Sequence, residues 1–187
     1  VDFHGFRAEK VFWLNHIGIN NAGIYLTGKS SDSVTYVLFE EGTEEIEKNS
    51  GLLVEMLGKG DVFVLDLSGM GSVKPAAFNN AEFYGMYGTM HKICNDILMT
   101  GSSLMEIWIN DILLAEELTG RDITLISYGK MQPASLIAAI LSKGIKKIYL
   151  KGETIDYGKI MKCRNGFIPE LEVFGFSKYL DIDEIVM

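Results

Sequence analysis

Two short runs of the chain are apolar or β-branched at every position, and they constrain the fold more than any other feature. The runs are Val62–Leu65 and Ile123–Ile126. A strand with one face in water alternates apolar and polar residues, whereas a strand covered on both faces does not. The two runs therefore predict strands of a parallel sheet that is covered on both faces.

Further strands and helices alternate around these runs. Short segments rich in β-branched and aromatic residues are predicted as strands: Lys10–Leu14, Gly23–Thr27, Thr35–Phe39, Val62–Leu67, Ile123–Ser127 and Lys147–Leu150. Helical periodicity predicts three helices between the later strands: Thr43–Leu57, Ser103–Leu118 and Pro133–Leu141. Thr43 is expected to cap the first helix. This alternation is typical of a parallel sheet, and the short loops between the first strands predict an antiparallel edge.

The length of 187 residues and the 48% of hydrophobic residues suit one domain with its own core. We expect antiparallel edge strands in 1–34, a parallel core in 35–150 and a terminal segment in 151–187. A long insertion, 72–102, lies within the core region. Long connections of this kind are usually functional or cover a site, and its aromatic residues could line an apolar or carbohydrate pocket or simply pack.

The charge balance limits the partners that the chain can bind. With 17 Lys and Arg against 25 Asp and Glu, the net charge is −8. An acidic chain of this kind argues against nucleic acid and against an anionic membrane surface as partners. No apolar run approaches the roughly 20 residues that span a bilayer, and the first residues lack the basic and apolar run of a signal peptide. The sequence leaves the cellular compartment open.

Neither a metal nor a cofactor is predicted. Cys94 and Cys163 do not form a zinc-binding pattern with each other or with histidine. The turn Gly69–Gly71 follows a strand, but it lacks the third glycine and the helix of a dinucleotide-binding fingerprint. We interpret it as a tight turn. A doubly wound binder of small molecules is the weakest functional interpretation.

Four segments resemble a known family in their order and spacing. Val64–Gly71 reads as a strand ending in an LDxxGxG turn, and Thr100–Ser102 precedes a helix that carries a Trp and an Asp. Ile123–Met131 reads as the next strand with the turn that follows it, and Lys147–Leu150 as the strand after that. Over most of Thr35–Met187 the chain resembles the α/β-hydrolase superfamily, in particular the bacterial acetyl-xylan-esterase-like or cephalosporin-C-deacetylase-like carbohydrate esterases.

This resemblance implies a three-layer α/β fold with a mostly parallel sheet, of which the chain lacks the last strands. It implies cleavage of an acyl ester by a serine nucleophile with an oxyanion hole, and a small ester or carbohydrate as ligand. If the protein is active, it would thus be a serine carboxylic-ester hydrolase of the deacetylase type.

The nucleophile of this superfamily stands at the centre of a G-x-S-x-G turn between a strand and a helix. When the chain is aligned on both elements, Ser127 takes the first Gly position, Gly129 the nucleophile position and Met131 the last Gly position. Ser135 and Ala139 then fall where small residues pack a helix against the sheet. In this preferred alignment the nucleophile is missing.

A second alignment, shifted by two residues, makes Ser127 the nucleophile. Pro133 and Ile137 would then occupy the positions for small residues, which is less favourable. Ser127 therefore remains a weak catalytic candidate, and the catalytic residues are otherwise unknown.

Two further departures argue against ester hydrolysis. The loop that should supply an oxyanion N–H carries Glu40, Glu41, Glu44 and Glu45, and carboxylates raise the energy of an oxyanion. The superfamily orders its triad as Ser, acid, His. No histidine follows His91, so this order cannot be completed within this chain.

We interpret His4, His16 and His91 as surface or locally hydrogen-bonded residues. The sequence thus predicts an esterase-like domain that is catalytically degenerate, a pseudoenzyme, or incomplete in this chain. The alternative is a non-catalytic interaction or scaffold domain. Because the sheet would end after Lys147–Leu150, we expect this edge to be covered by Phe167–Met187 or paired in a homo-oligomer.

Overall fold

The computed structural model describes residues 1–15, 18–29, 33–78, 82–85, 87–153, 155–156 and 168–173. The strands in this part are β1 Asp2–Phe3, β2 Phe6–Leu14, β3 Asn20–Thr27, β4 Ser33–Leu38, β5 Asp61–Asp66, β6 Asp122–Tyr128 and β7 Ile145–Lys151. The α-helices are α1 Ser50–Leu57, α2 Thr89–Met99, α3 Leu104–Thr119 and α4 Gln132–Leu141. Short 3₁₀ turns cover Gly42–Glu45, Gly71–Val73, Gly129–Met131 and Pro169–Leu171.

The strands form one seven-stranded sheet in the order β1-β2-β3-β5-β4-β6-β7. Strands β5, β4, β6 and β7 run parallel to one another, while β1, β2 and β3 pair antiparallel and β3 also pairs antiparallel with β5. The predicted α/β class with a mostly parallel sheet is confirmed. Its antiparallel strands lie at one edge because short loops join them.

The apolar run in β5 is buried on both faces, as predicted. Val62 and Val64 pack with Leu53 of α1 on one face. Phe63 and Leu65 pack with the core cluster of α3 on the other face. The alternation of side chains along a strand places neighbouring residues in the two cores.

The predicted helix Thr43–Leu57 is wrong in its first half. Its N-terminal part forms the 3₁₀ turn Gly42–Glu45, and α1 begins only at Ser50, with Asn49 as N-cap. The physical reason is a competing partner for Thr43. Its N–H and its hydroxyl both donate to the Asp66 carboxylate, each at 2.6 Å, so Thr43 is held by β5 rather than capping a helix.

The insertion contains a helix, α2, that the sequence analysis did not predict. Its buried positions Met90, Cys94 and Leu98 recur every four residues, which is helical spacing. No single described helix is long and apolar enough to cross a membrane. Helices α2 and α3, which are bent by 89° relative to each other, would together be long and apolar enough for a membrane span, by length and composition only.

The far edge of the sheet is β7 in the part of the chain that the structure describes. Of the segment Phe167–Met187 that was expected to cover this edge, only Ile168–Val173 is described. There Leu171 packs in a cluster with Leu136 of α4 and Leu150 of β7. The remainder of that segment lies outside the described residues, as do His16 and Cys163.

Candidate active site at the carboxyl ends of the parallel strands

The loops that follow β4, β5 and β6 lie at one end of the sheet. In open α/β sheets, ligands bind beyond the carboxyl ends of the strands. Because β4 and β6 are neighbours, the residues that follow them meet although they lie far apart in sequence. This arrangement brings Glu40 and Glu41 next to Gly129 and Lys130.

The turn from β6 into α4 passes through Gly129. Its φ angle is +46°, a left-handed conformation that glycine adopts without the penalty of a Cβ. A Cβ placed on Gly129 would overlap the Glu40 carboxylate. Backbone conformation and space therefore both favour glycine here.

The Glu40 carboxylate is bound to the backbone next to this glycine. The Lys130 N–H donates to Glu40 Oε1 at 2.9 Å. In α/β-hydrolases, the N–H of the residue after the nucleophile is one donor of the oxyanion hole. A negative charge on such a donor opposes the build-up of a second negative charge beside it.

Ser127 lies between β6 and α4, away from solvent. Its exposed fraction is 0%, and its hydroxyl accepts a hydrogen bond from the Ser135 hydroxyl at 2.8 Å. Ser135 is also fully buried, as expected of a small residue that packs the helix on the sheet. This environment holds Ser127 as a packing residue.

The Lys130 side chain forms a buried ion pair below the turn. Its Nζ lies 3.0 Å from Glu170 Oε1, and the side chains of Lys130 and Glu170 are 11% and 3% exposed. The same ammonium lies 4.0 Å from the centre of the Tyr84 ring. Since a lone buried charge is costly, Glu170 and Lys130 depend on one another. The sequence carried no signal for this pair, whose members are 40 residues apart.

A second lysine completes this cluster from the insertion. Lys74 Nζ lies 3.7 Å from Glu41 Oε2 and 4.7 Å from the centre of the Tyr84 ring. Burial, followed by the negative charge of Glu41, raises the pKa of the Tyr84 phenol. The phenol therefore stays protonated at neutral pH. The Tyr84 ring contacts two ammonium groups, and these contacts hold this part of the insertion at the strand ends.

Asp66 at the end of β5 joins the loop after β4 to the turn after β5. Its carboxylate accepts hydrogen bonds from the N–H and hydroxyl groups of Thr43 and of Ser72, at 2.6–2.9 Å. A Cβ at Gly42 or Gly71 would overlap this carboxylate. Asp66 is thus a positioning residue of the loop that carries Glu40.

The helix motif with Trp and Asp has a structural explanation. Trp108 Nε1 donates to the Ser68 carbonyl at 2.9 Å, and the Ser68 N–H donates to Asp111 at 2.9 Å. Asp111 also accepts from Asn15 Nδ2 at 3.1 Å. Trp108 and Asp111 are fully buried, and their hydrogen bonds to Ser68 hold α3 against the turn that follows β5.

Two of the three histidines, His4 and His91, lie in the described part of the chain. His4 lies in the turn between β1 and β2, with a φ angle of 49°. His91 lies in α2, where its ring contacts Tyr87 edge-on, with the two ring centres 5.6 Å apart. Within the described part of the chain, no group of three or more His, Cys, Asp or Glu side chains could hold a metal ion.

Solved structures similar to this one include an α/β hydrolase and several esterases. A Bacteroides fragilis protein provisionally identified as an acetyl xylan esterase matches 99% of this chain with a TM-score of 0.73 and 11% identity. A cold-adapted esterase from an Arctic intertidal metagenomic library matches 80% with a TM-score of 0.52 and 18% identity. An α/β hydrolase from Novosphingobium aromaticivorans matches 83% with a TM-score of 0.51 and 14% identity.

The chain has the α/β-hydrolase fold of these esterases. The structure most similar in TM-score among the three is the Bacteroides fragilis protein. This chain spans 57% of that protein, 62% of the Arctic esterase and 48% of the Novosphingobium hydrolase. No protein-family model matches the sequence, and no curated protein matches it significantly. At these identities the similarity shows the fold alone.

Proposed function

We propose that this chain is an esterase-like α/β-hydrolase domain without serine-esterase activity of its own. The observation that carries the proposal is the Glu40 carboxylate on the Lys130 N–H, directly beside Gly129. In this fold the nucleophile stands in the turn between a strand and a helix. In this chain the corresponding position is Gly129, which has no side chain. The donor next to it is bound to a carboxylate.

The electrostatic cost of this arrangement supports the proposal. Loss of a single oxyanion-hole donor lowers kcat by about 10²–10³-fold in a serine hydrolase. In this chain the donor is engaged by a negative charge, which opposes an oxyanion more strongly than a missing donor does. A substrate carbonyl would have to displace Glu40 before it could reach the Lys130 N–H.

The alternative alignment, with Ser127 as nucleophile, is disfavoured by burial. A nucleophile must reach the carbonyl of its substrate and needs a base within hydrogen-bond reach. Among the described residues the Ser127 hydroxyl has the Ser135 hydroxyl as its hydrogen-bond partner, and neither side chain is exposed. Serine is not a base at neutral pH.

The similar structures indicate the class of ligand that the proposed domain would meet. One is provisionally identified as an acetyl xylan esterase, so an acyl ester or a carbohydrate is the ligand class to test first. A non-catalytic interaction domain is the second candidate.

A fluorophosphonate serine probe tests the proposal directly. The intact mass of the full chain is measured after incubation with the probe, beside a Ser127→Ala variant and an active serine esterase. We expect no adduct on the chain at concentrations that fully label the esterase. A single adduct that disappears in Ser127→Ala would overturn the proposal and establish Ser127 as an activated nucleophile.

A further inference from the structure

Strand β2 lies at an edge of the sheet for most of its length. The short strand β1 pairs only with its first two residues. Just beyond them, Val1 and Ala8 exchange two backbone hydrogen bonds, at 2.8 and 3.0 Å. From Glu9 to Leu14, β2 pairs with β3 on one side, and no described strand lies on its other side. We call this stretch the β2 edge.

The hydrogen bonds of Ala8 show which backbone groups of β2 point outward, away from β3. The N–H and C=O groups of one residue point to the same side of a strand, and those of the next residue point to the other side. Both groups of Ala8 point to β1. The residues of the β2 edge that point the same way are therefore Lys10, Phe12 and Leu14. The alternation holds at Asn15, whose N–H donates on the β3 side, to the carbonyl of Ile19, at 2.9 Å.

The outward-pointing residues include two exposed apolar side chains. Phe12 and Leu14 are 68% and 63% exposed, whereas Trp13 between them is 9% exposed and packs in the core. Natural edge strands are usually protected by charged residues, prolines or bulges. The β2 edge has Lys10 on this side, but its sequence contains no proline and its register with β3 has no bulge. Backbone donors, backbone acceptors and apolar side chains at one edge favour the addition of another strand.

The position of Val1 on Ala8 limits how a second copy of the chain can pair with the β2 edge. In a dimer with two-fold symmetry, two identical neighbouring strands run antiparallel, and outward-pointing residues face one another. If Phe12 faces Phe12 of the second copy, Lys10 faces Leu14 of the second copy. Every outward position of the β2 edge is then paired, and Ala8 keeps its contact with Val1.

This register also avoids electrostatic repulsion between the two strands. Between the outward positions, Glu9 faces Asn15 of the second copy, so no two like charges are directly opposed. A shift of the register in one direction places Leu14 opposite the occupied Ala8, and a longer shift places Lys10 opposite Lys10. A shift in the other direction places Lys10 opposite a residue beyond the end of β2. The strand is thus complementary to itself in one register.

We propose that β2 of this chain pairs antiparallel with β2 of a second copy, with Phe12 at the two-fold axis, and joins the two sheets into one continuous sheet. The pairing removes the Phe12 and Leu14 side chains from water, and the aliphatic part of Lys10 covers Leu14 of the second copy. This interface lies at the opposite edge of the sheet from β7, the edge for which the sequence predicted pairing. The inference does not depend on whether the domain has esterase activity.

Sedimentation equilibrium of the full chain tests the proposal. We expect a dimer at about 0.1 mM, a concentration at which even a weak specific interface is populated. Phe12→Lys/Leu14→Lys should raise the dissociation constant about 100-fold or more, because it removes the apolar centre of the interface. The matched control is Ile140→Lys/Leu141→Lys in α4, where the two side chains are 66% and 61% exposed. A monomeric parent, or equal dissociation by both variants, would overturn the proposal.

Cysteine cross-linking tests the register in a Cys163→Ser background. With a short bifunctional methanethiosulfonate we expect dimers from Phe12→Cys alone and from a mixture of Lys10→Cys with Leu14→Cys. Lys10→Cys alone should yield at least tenfold less dimer, because its two thiols would lie four residues apart along the strands, or about 14 Å. Ile140→Cys is the control for random collision. Dimers from Lys10→Cys alone or from Ile140→Cys as abundant as those from Phe12→Cys would contradict the proposed pairing.

Discussion

The Glu40 carboxylate accepts a hydrogen bond from the Lys130 N–H at 2.9 Å, across 90 residues of sequence. This contact links the loop after β4 to the turn after β6, the two segments that form an oxyanion hole in α/β-hydrolases. The bound carboxylate places a negative charge at this backbone donor. It also occupies the space beside Gly129, where a Cβ would overlap it.

Replacement of Gly129 should destabilise the protein. Gly129→Ala places a Cβ in a left-handed conformation, which costs about 1–2 kcal/mol, and against the Glu40 carboxylate. We expect the free energy of unfolding in urea to fall by at least that amount. The double variant Gly129→Ala/Glu40→Ala should recover the part of this free energy that is lost through overlap of the new Cβ with the Glu40 carboxylate.

The control for this series is Gly51→Ala in α1, where a Cβ would meet nothing within 4 Å. Alanine favours a helix over glycine, so this variant should be about 0.4–1 kcal/mol more stable than the parent. Equal stability of Gly129→Ala and the parent would contradict the geometry of the turn.

Gly129→Ser should remain unreactive towards the fluorophosphonate probe, because a serine alone lacks a base.

The buried Lys130–Glu170 ion pair predicts that replacing one partner lowers the free energy of unfolding much more than replacing both. Lys130→Met leaves Glu170 buried without its counter-charge, and breaking such a pair costs about 3–5 kcal/mol. Lys130→Met/Glu170→Leu removes both charges and should recover most of this loss. Urea denaturation gives the free energies of unfolding.

An exposed pair in the same protein is the control. Lys59→Met removes the partner of Glu55, whose side chain is 69% exposed, so the expected loss is at most about 1 kcal/mol. A loss for Lys130→Met no larger than that for Lys59→Met would show that the Lys130–Glu170 pair is not buried in solution.

The strands of this protein could be predicted because their residues carry local information. Val62–Leu65 is apolar throughout since both of its faces are covered, and that pattern is readable without a partner. The fold class followed from such patterns and from the order of the elements.

The errors arose where a distant partner overrides local preference. Thr43 has the sequence signature of an N-cap, but its hydroxyl donates a hydrogen bond to the Asp66 carboxylate instead of capping a helix. Glu40 was recognised as one of four acidic residues near an oxyanion loop, yet only the structure shows that it is the one bound to Lys130. No local pattern predicts the pairing of Lys130 with Glu170, because that contact depends on the tertiary fold.

Asp61 at the amino end of β5 predicts a dependence of stability on pH. Burial raises its pKa, but hydrogen bonds from Tyr25 and Arg121 outweigh burial and lower the pKa below the usual value. A carboxyl with a lowered pKa in the folded state stabilises the protein above its unfolded pKa of about 3.9. That contribution is lost as the pH falls through the folded value.

Asp61→Asn should therefore be less stable than the parent at pH 7, and the difference should shrink below about pH 4. Urea denaturation of both proteins between pH 7 and the acid limit of folding measures it. Asp122→Asn is the control, because the Asp122 side chain is 68% exposed and its contact with Lys146 is long, at 3.8 Å. A stability difference for Asp61→Asn that stays constant down to acid pH would exclude the proposed titration.

The thiol of Cys94 should be unreactive in the folded protein. Burial, followed by the negative charge of Glu170, raises its pKa to about 12, and its side chain lies in the core with Met90 and Leu104. Because the thiolate is the reactive form, iodoacetamide at pH 8 should modify Cys94 only after the protein unfolds. In a Cys163→Ser variant, where Cys94 is the one remaining cysteine, intact mass should show no adduct under native conditions and one adduct in urea. Rapid native labelling at Cys94 would mean that α2 does not pack on the core as described, and with it the Lys130 side of the candidate site would need revision.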